Sequence, residues 1–205
     1  MKNIIFDVDG TLWDTTGSVA KSWNKAVSEV GVAEPNLTAD MLKKEFGKPM
    51  NVIADDLFPD ASPEQKEQLL ELCCKYEHED LLKNEDNLLF PGVKETIIEL
   101  SKKYRLFIVS NCQCGYIELF MDKIGIKEYI EDYECFGNTG RCKGENIKLV
   151  VERNNLDEVV YVGDTQGDYE ATVLAEVPFI FARYGFGNVE NFYMAIDNIG
   201  ELLKL

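Results

Sequence analysis

Ile4-Ile5-Phe6-Asp7-Val8-Asp9-Gly10-Thr11 decides how the rest of the chain is read. A short apolar run that passes into two aspartates, one residue apart and followed by glycine, reads as a buried strand stopped by a turn. Outward from it, runs of the same kind recur: RLFIVS from Arg105, DYECF from Asp132, VVYVGD from Val159 and PFIFAR from Pro178, each too brief for a helix. Helical patterns lie between them, from Val93 to Lys103, Gly115 to Ile124, Gly144 to Asn154 and Gln166 to Glu176. Continuous apolar strands alternating with helices predict an α/β fold, a Rossmann-like parallel sheet with helices on both faces. In such sheets functional side chains gather at the carboxyl ends of the strands, where strand order reverses.

One stretch breaks the alternation. From about Asp14 to Asn84 there are helices and turns and no convincing strand. Val19, Trp23, Ala26, Val27 and Val30 recur at helical spacing, with Gly31 as the C-terminal stop. Ser62-Pro63-Glu64-Gln65 offers an N-cap, a first-turn proline and the glutamine of a capping box, with Leu69, Leu72, Cys73 and Tyr76 following on one face. Both stripes are expected to be packing surfaces. Phe90-Pro91-Gly92 marks the return to the sheet. The expected organisation is therefore a core of residues 1–13 and 85–205, with an all-helical cap of residues 14–84 inserted after the first strand.

A chain of 205 residues, 45% of them apolar, can bury a sizeable core, and its net charge of −16 repels polyanions and anionic membranes. Nucleic acid and membrane partners are not expected. No apolar run reaches the roughly 20 residues of a membrane span, and Met1-Lys2-Asn3 does not open a signal peptide, so the expected location is the cytoplasm. The six cysteines are expected to be reduced thiols, because their spacings match no common zinc site and His78 is the single histidine.

Three groups of residues carry chemistry. Asp7 and Asp9 stand at the end of the first strand. Asp164 and Asp168 belong to Gly163-Asp164-Thr165-Gln166-Gly167-Asp168, again at a strand end, with Asp168 in the first helical turn where a carboxylate also suits the helix dipole. Four clustered carboxylates repel one another unless a cation is present, and all-oxygen ligation suits magnesium, so Mg2+ is the expected cofactor. Ser110 and Asn111 follow the second core strand and Lys143 opens a helix, supplying a hydroxyl, an amide and a point charge suited to a phosphate group.

DVDGT, Ser-Asn after a strand, a helix-opening lysine and GDTQGD fall in the order of the four motifs of the haloacid dehalogenase superfamily, which the chain resembles over essentially its whole length. The helical insert is similar to that family's C1-type cap, as found in phosphoglycolate phosphatases and β-phosphoglucomutases. The resemblance implies a magnesium-dependent phosphatase of small phosphorylated metabolites. Asp7 would be the nucleophile, Asp9 the general acid and base, and Thr11, Ser110, Asn111 and Lys143 the phosphate-binding residues. Asp7, Asp9, Asp164 and Asp168 would form the metal site, with the main-chain carbonyl of Asp9 completing the shell.

Departures within the superfamily sharpen the expectation. Dehalogenases lack an acid where this chain has Asp9, which favours a phosphate monoester reaction, and β-phosphoglucomutases carry a cap-entry histidine where this chain has Val19, which favours hydrolysis over mutase transfer. Against non-catalytic binding stands the full set of Asp7, Asp9, Ser110, Lys143 and Asp164, which the fold alone does not require. The proline that often follows the motif lysine is absent from Lys143-Gly144-Glu145. In the cap, Lys43, Lys44 and Lys48 around Phe46-Gly47 either meet an anionic substrate or form a solvated face.

Overall fold

The structure, a computed structural model, describes residues 2–33 and 36–205. Its sheet is built from β1 (Asn3–Phe6), β2 (Arg105–Ser110), β3 (Asp132–Cys135), β4 (Val159–Gly163), β5 (Phe179–Ala182) and β6 (Met194–Ile196). All neighbours are parallel and the order is β3-β2-β1-β4-β5-β6. The chain builds outward from β1 to β3, then returns to lay β4 against the other side of β1. The order therefore reverses at the β1–β4 crevice, where a doubly wound sheet opens a site. Five strands fall where the apolar runs placed them. The sixth, β6, is a half-buried edge strand of three residues, too short to show a period.

The helices are α1 (Thr16–Val30), α2 (Ala39–Glu45), α3 (Met50–Leu57), α4 (Pro63–Lys83), α5 (Val93–Ser101), α6 (Tyr116–Ile124), α7 (Phe136–Thr139), α8 (Lys143–Arg153) and α9 (Gln166–Ala175). Side-chain alternation along the strands sorts the apolar residues onto two faces. Ile4, Phe6, Leu106, Ile108, Val160 and Val162 join α5 and α6 through Val93, Ile97, Ile117 and Phe120. Ile5, Phe107, Val109, Tyr161 and Phe181 join α8 and α9 through Ile147, Val150 and Ala171. Both faces being covered, the strands read as unbroken apolar runs.

A third apolar cluster belongs to α1–α4 and holds Val19, Trp23, Val27, Leu42, Ile53, Phe58, Leu69 and Cys73. The local signals that framed it are present. Gly31 takes φ 71° and its N–H closes on the Val27 carbonyl, a left-handed stop that glycine adopts without Cβ strain. Ser62 N–H donates to Gln65 Oε1 at 2.8 Å and Gln65 N–H to Ser62 Oγ at 3.3 Å, completing the capping box. The buried row of α4 differs in detail from the expected stripe: it runs Leu69, Cys73, Glu77, Leu81, so a glutamate occupies an apolar row. Two chain crossings tie this layer to the sheet side by side, with Asp14 N–H donating to the Leu88 carbonyl at 2.8 Å and Phe90 N–H to the Leu12 carbonyl at 3.1 Å. No helix among the described residues is long and apolar enough to cross a membrane.

Candidate active site

β1 ends at Phe6, but the Asp7 N–H still donates to the Val162 carbonyl at 2.9 Å, so Asp7 is pinned at the β1–β4 crevice. Beyond it the chain must turn beside Asp164. Gly10 takes φ 85°, and a Cβ there would lie 2.2 Å from Asp164 Oδ2, which explains the glycine of the motif. Lys143, at the start of α8 and 3% exposed, reaches the same crevice. Its Nζ donates to Asp7 Oδ1 at 2.9 Å and to Asp168 Oδ1 at 2.5 Å. Burial alone would lower the Lys143 pKa, but Asp168 and Asp7 outweigh it and hold the ammonium charged well above the ordinary lysine value.

Carboxylate oxygens of Asp7, Asp164 and Asp168 lie within 4.8 Å of one another, all buried, close enough to share a metal ion. Burial raises the Asp7 pKa to about 6 against the lowering effect of Lys143, and raises that of Asp164 well above its ordinary value, with Asp168 and Asp7 adding to it. A cation between them would relieve this strain. Asp7 Oδ2 is buried without any hydrogen-bond partner, which fits an oxygen waiting for a ligand or metal. Asp164 Oδ2 accepts from the Phe186 N–H at 2.7 Å and Oδ1 from Thr11 Oγ1 at 3.1 Å. Thr11, expected at the phosphate, thus spends its hydroxyl on orienting Asp164. Asp168 serves α9 as well as the cluster: its Oδ2 accepts from the Asp164 and Thr165 N–H groups at 3.1 and 3.0 Å and from Thr165 Oγ1 at 2.8 Å.

Asp9 faces elsewhere. Its Oδ1 accepts from Tyr116 Oη at 2.6 Å, Trp13 Nε1 at 3.1 Å and Thr15 Oγ1 at 3.2 Å, so its carboxylate is turned away from the Asp7–Asp164–Asp168 trio. Burial pushes its pKa up to about 8, although the Tyr116 hydrogen bond lowers it. Three donors on one oxygen leave Oδ2 to carry the proton. Nothing in the sequence pointed to Trp13, Thr15 or Tyr116; Tyr116 sits 107 residues from Asp9, and its only local sign is that α6 opens with a tyrosine after Gly115.

Ser110, buried at the end of β2, and Asn111 line a cavity between the sheet and α1–α4 that also includes Asp9, Glu77, Gln113 and Tyr116. Asn111 Nδ2 donates to the Gly47 carbonyl at 2.8 Å. Gly47, at φ 93°, lies so near Thr165 that a Cβ would meet its side chain at 3.2 Å. The loop between α2 and α3 is thus closed over the crevice, leaving a small cavity of about 30 Å³. Of the three cap lysines, Lys48 lines the cavity but is held by Glu45 at 2.7 Å and Asp56 at 2.8 Å, Lys43 pairs with Asp14 at 3.0 Å, and Lys44 is exposed.

Known proteins resemble this chain in sequence and in fold. A phosphoglycolate phosphatase of Vibrio parahaemolyticus is 25% identical over 100% of this chain and 96% of its own length. Another of Aquifex aeolicus is 25% identical over 91% of this chain and 86% of its own. A haloacid dehalogenase-like hydrolase of Streptococcus pneumoniae superposes with a TM-score of 0.85 at 19% identity, covering 100% of this chain and 97% of that one. A structure from Haemophilus somnus, described as a predicted phosphoglycolate phosphatase, gives 0.86 at 21% identity over 100% and 97%. The sequence profile of the haloacid dehalogenase-like hydrolases matches residues 4–182, which takes in β1, the helical layer and the strands through β5, and the chain belongs to that family.

Proposed function

We propose that the protein is a magnesium-dependent phosphatase that hydrolyses small phosphorylated metabolites through an aspartyl-phosphate on Asp7. The observation that carries this reading is the division of labour between two buried carboxylates. Asp7 keeps one oxygen on Lys143 and leaves the other unpartnered, while Asp9 is set to hold a proton on Oδ2. Phosphatase relatives at about a quarter identity support it.

In the first step Asp7 attacks phosphorus, the bond to the leaving oxygen breaks, and the Asp9 proton passes to that oxygen. In the second, Asp9 takes a proton from water, the water oxygen bonds to phosphorus, and the bond to Asp7 breaks, restoring its carboxylate. Ser110, Asn111 and Lys143 would hold the phosphoryl oxygens, with Thr11 acting through Asp164. Asp7, Asp164 and Asp168, with the main-chain carbonyl of Asp9, would hold the ion. Bound magnesium supplies positive charge that the crevice lacks, since a single lysine faces its aspartates. Val19, buried in the apolar cluster of α1–α4, offers no acid-base group at the cap entry, which favours hydrolysis over mutase transfer. Residues 14–84 act in this reading as a cap that opens about the paired crossings at Asp14 and Leu88 and closes to exclude water. Six unpaired cysteines suit a reducing cytoplasm.

The test is release of inorganic phosphate from a panel of phosphorylated metabolites with magnesium and with a chelator. Turnover that needs the metal is expected; no turnover of any phosphomonoester by folded protein would leave a binding protein instead. Magnesium at about a hundred times its dissociation constant should stabilise the fold by about 2.7 kcal/mol, and Asp164→Asn should remove most of that gain in a thermal melt.

Tyr116→Phe takes one donor from Asp9. Because that hydrogen bond lowers the Asp9 pKa, its loss should move the alkaline limb of kcat/KM for alkyl phosphates to higher pH. Activity at neutral pH should fall by about tenfold through poorer orientation of the acid. Aryl phosphates, whose leaving groups need no proton, should lose much less in the first step; an equal loss for both would exclude this positioning role.

A further inference from the structure

Glu77 is a carboxylate that the reaction above does not use. It lies in the buried row of α4, 3% exposed, and lines the cavity that also contains Asp9, Ser110 and Asn111. Its Oε2 accepts from Trp23 Nε1 at 2.8 Å and its Oε1 from Gln113 Nε2 at 2.9 Å. The second bond crosses from the helical layer to the loop after β2, so Glu77 reaches the sheet when the layer is closed. Among the described residues no lysine or arginine pairs with it. The single cation lining the cavity, Lys48, is already held by Glu45 and Asp56. A carboxylate has about four acceptor positions, and two neutral donors leave capacity for more.

A buried carboxylate without a cationic partner is costly, and a ligand that completes its hydrogen bonds relieves that cost. Burial pushes the Glu77 pKa up to about 7, against the lowering effect of the Gln113 and Trp23 bonds, as an uncompensated acid requires. On the α1–α4 side the other side chains of the wall, Lys48 apart, are the apolar Trp23, Phe46, Met50 and Ile53. A leaving group that carried a second anion would meet Glu77 with no free cation to answer it.

Building on the phosphatase reading, we propose that Glu77 selects substrates whose leaving group bears a hydrogen-bond donor, an ammonium or hydroxyl a few atoms from the phosphate, and rejects those bearing a carboxylate. Relatives named for phosphoglycolate would then differ from this chain in the substrate their caps admit.

Specificity constants should be measured for 2-aminoethyl phosphate, glycerol 3-phosphate and phosphoglycolate, with p-nitrophenyl phosphate as reference, in wild type, Glu77→Gln and Glu77→Asp. In wild type at least one donor-bearing ester should exceed phosphoglycolate by about tenfold or more. Leadership by the amine identifies an ammonium ligand and leadership by glycerol 3-phosphate a hydroxyl. Glu77→Gln, which keeps shape and removes charge, should shrink the 2-aminoethyl phosphate to phosphoglycolate ratio by about tenfold, chiefly through KM. Glu77→Asp, which keeps the charge, should retain the order of preference. A merely structural glutamate would change all substrates in proportion. Preference of the wild type for phosphoglycolate would overturn the proposal whatever the variants do, as would an unchanged ratio in folded Glu77→Gln that still turns over the aryl ester. If wild type hydrolysed none of the four, the aryl ester included, the phosphatase reading itself would fall.

Discussion

Replacing Lys143 with methionine is expected to destabilise the fold by about 3–5 kcal/mol and to abolish turnover. The ammonium is buried between Asp7 and Asp168 at 2.9 and 2.5 Å, so its removal strands two carboxylates that no other cation among the described residues reaches. Part of this cost can be escaped by protonation, which fixes the pH dependence. Lys143 lowers the Asp7 pKa; without it that pKa rises further above its value of about 6. An acid whose folded pKa lies above its unfolded value loses stability as pH rises between the two. The deficit against wild type should therefore be larger at pH 8 than at pH 5. Urea unfolding followed by circular dichroism, in chelator, reads both values. A loss under about 1 kcal/mol at pH 8 would mean that the crevice is wet enough to screen its charges.

Asp7→Asn separates catalysis from stability in the opposite sense. The amide oxygen can still accept from Lys143, and one buried charge with a raised pKa is gone. Folding stability in chelator should be equal to or above that of wild type. Turnover should fall by about a thousandfold or more, because an amide cannot become the acyl-phosphate nucleophile. Beryllium fluoride, a phosphoryl mimic, should attach to wild type and not to the variant. Near-wild-type phosphate release by folded Asp7→Asn would remove Asp7 from the nucleophile's role. Together the two substitutions ask whether Lys143 and Asp7 form one electrostatic unit: the first should damage fold and rate, the second the rate alone.

Much of the architecture was legible in the chain because its signals are local. The apolar run Ile4-Ile5-Phe6, the aspartates after it and Gly10 are contiguous, and strand period, turn chemistry and the Ser62–Gln65 capping box act within a few residues. The order of strands and helices followed, and with it the crevice where Asp7, Asp164 and Lys143 meet. The edge strand β6 escaped because three residues are too few to carry a period. The partners of the motif residues lay beyond local reading for a different reason. Tyr116 reaches Asp9 across 107 residues, Thr11 reaches Asp164 across 153, and Glu77 bonds Gln113 across 36. None of these pairs leaves a period or spacing in the sequence, since each forms only when two elements pack. Glu77 is the sharpest case. As one glutamate among several on α4 it was not singled out by the sequence, and only the packing of α4 against the loop after β2 buries it beside the cavity, where desolvation turns an ordinary carboxylate into one that needs a partner.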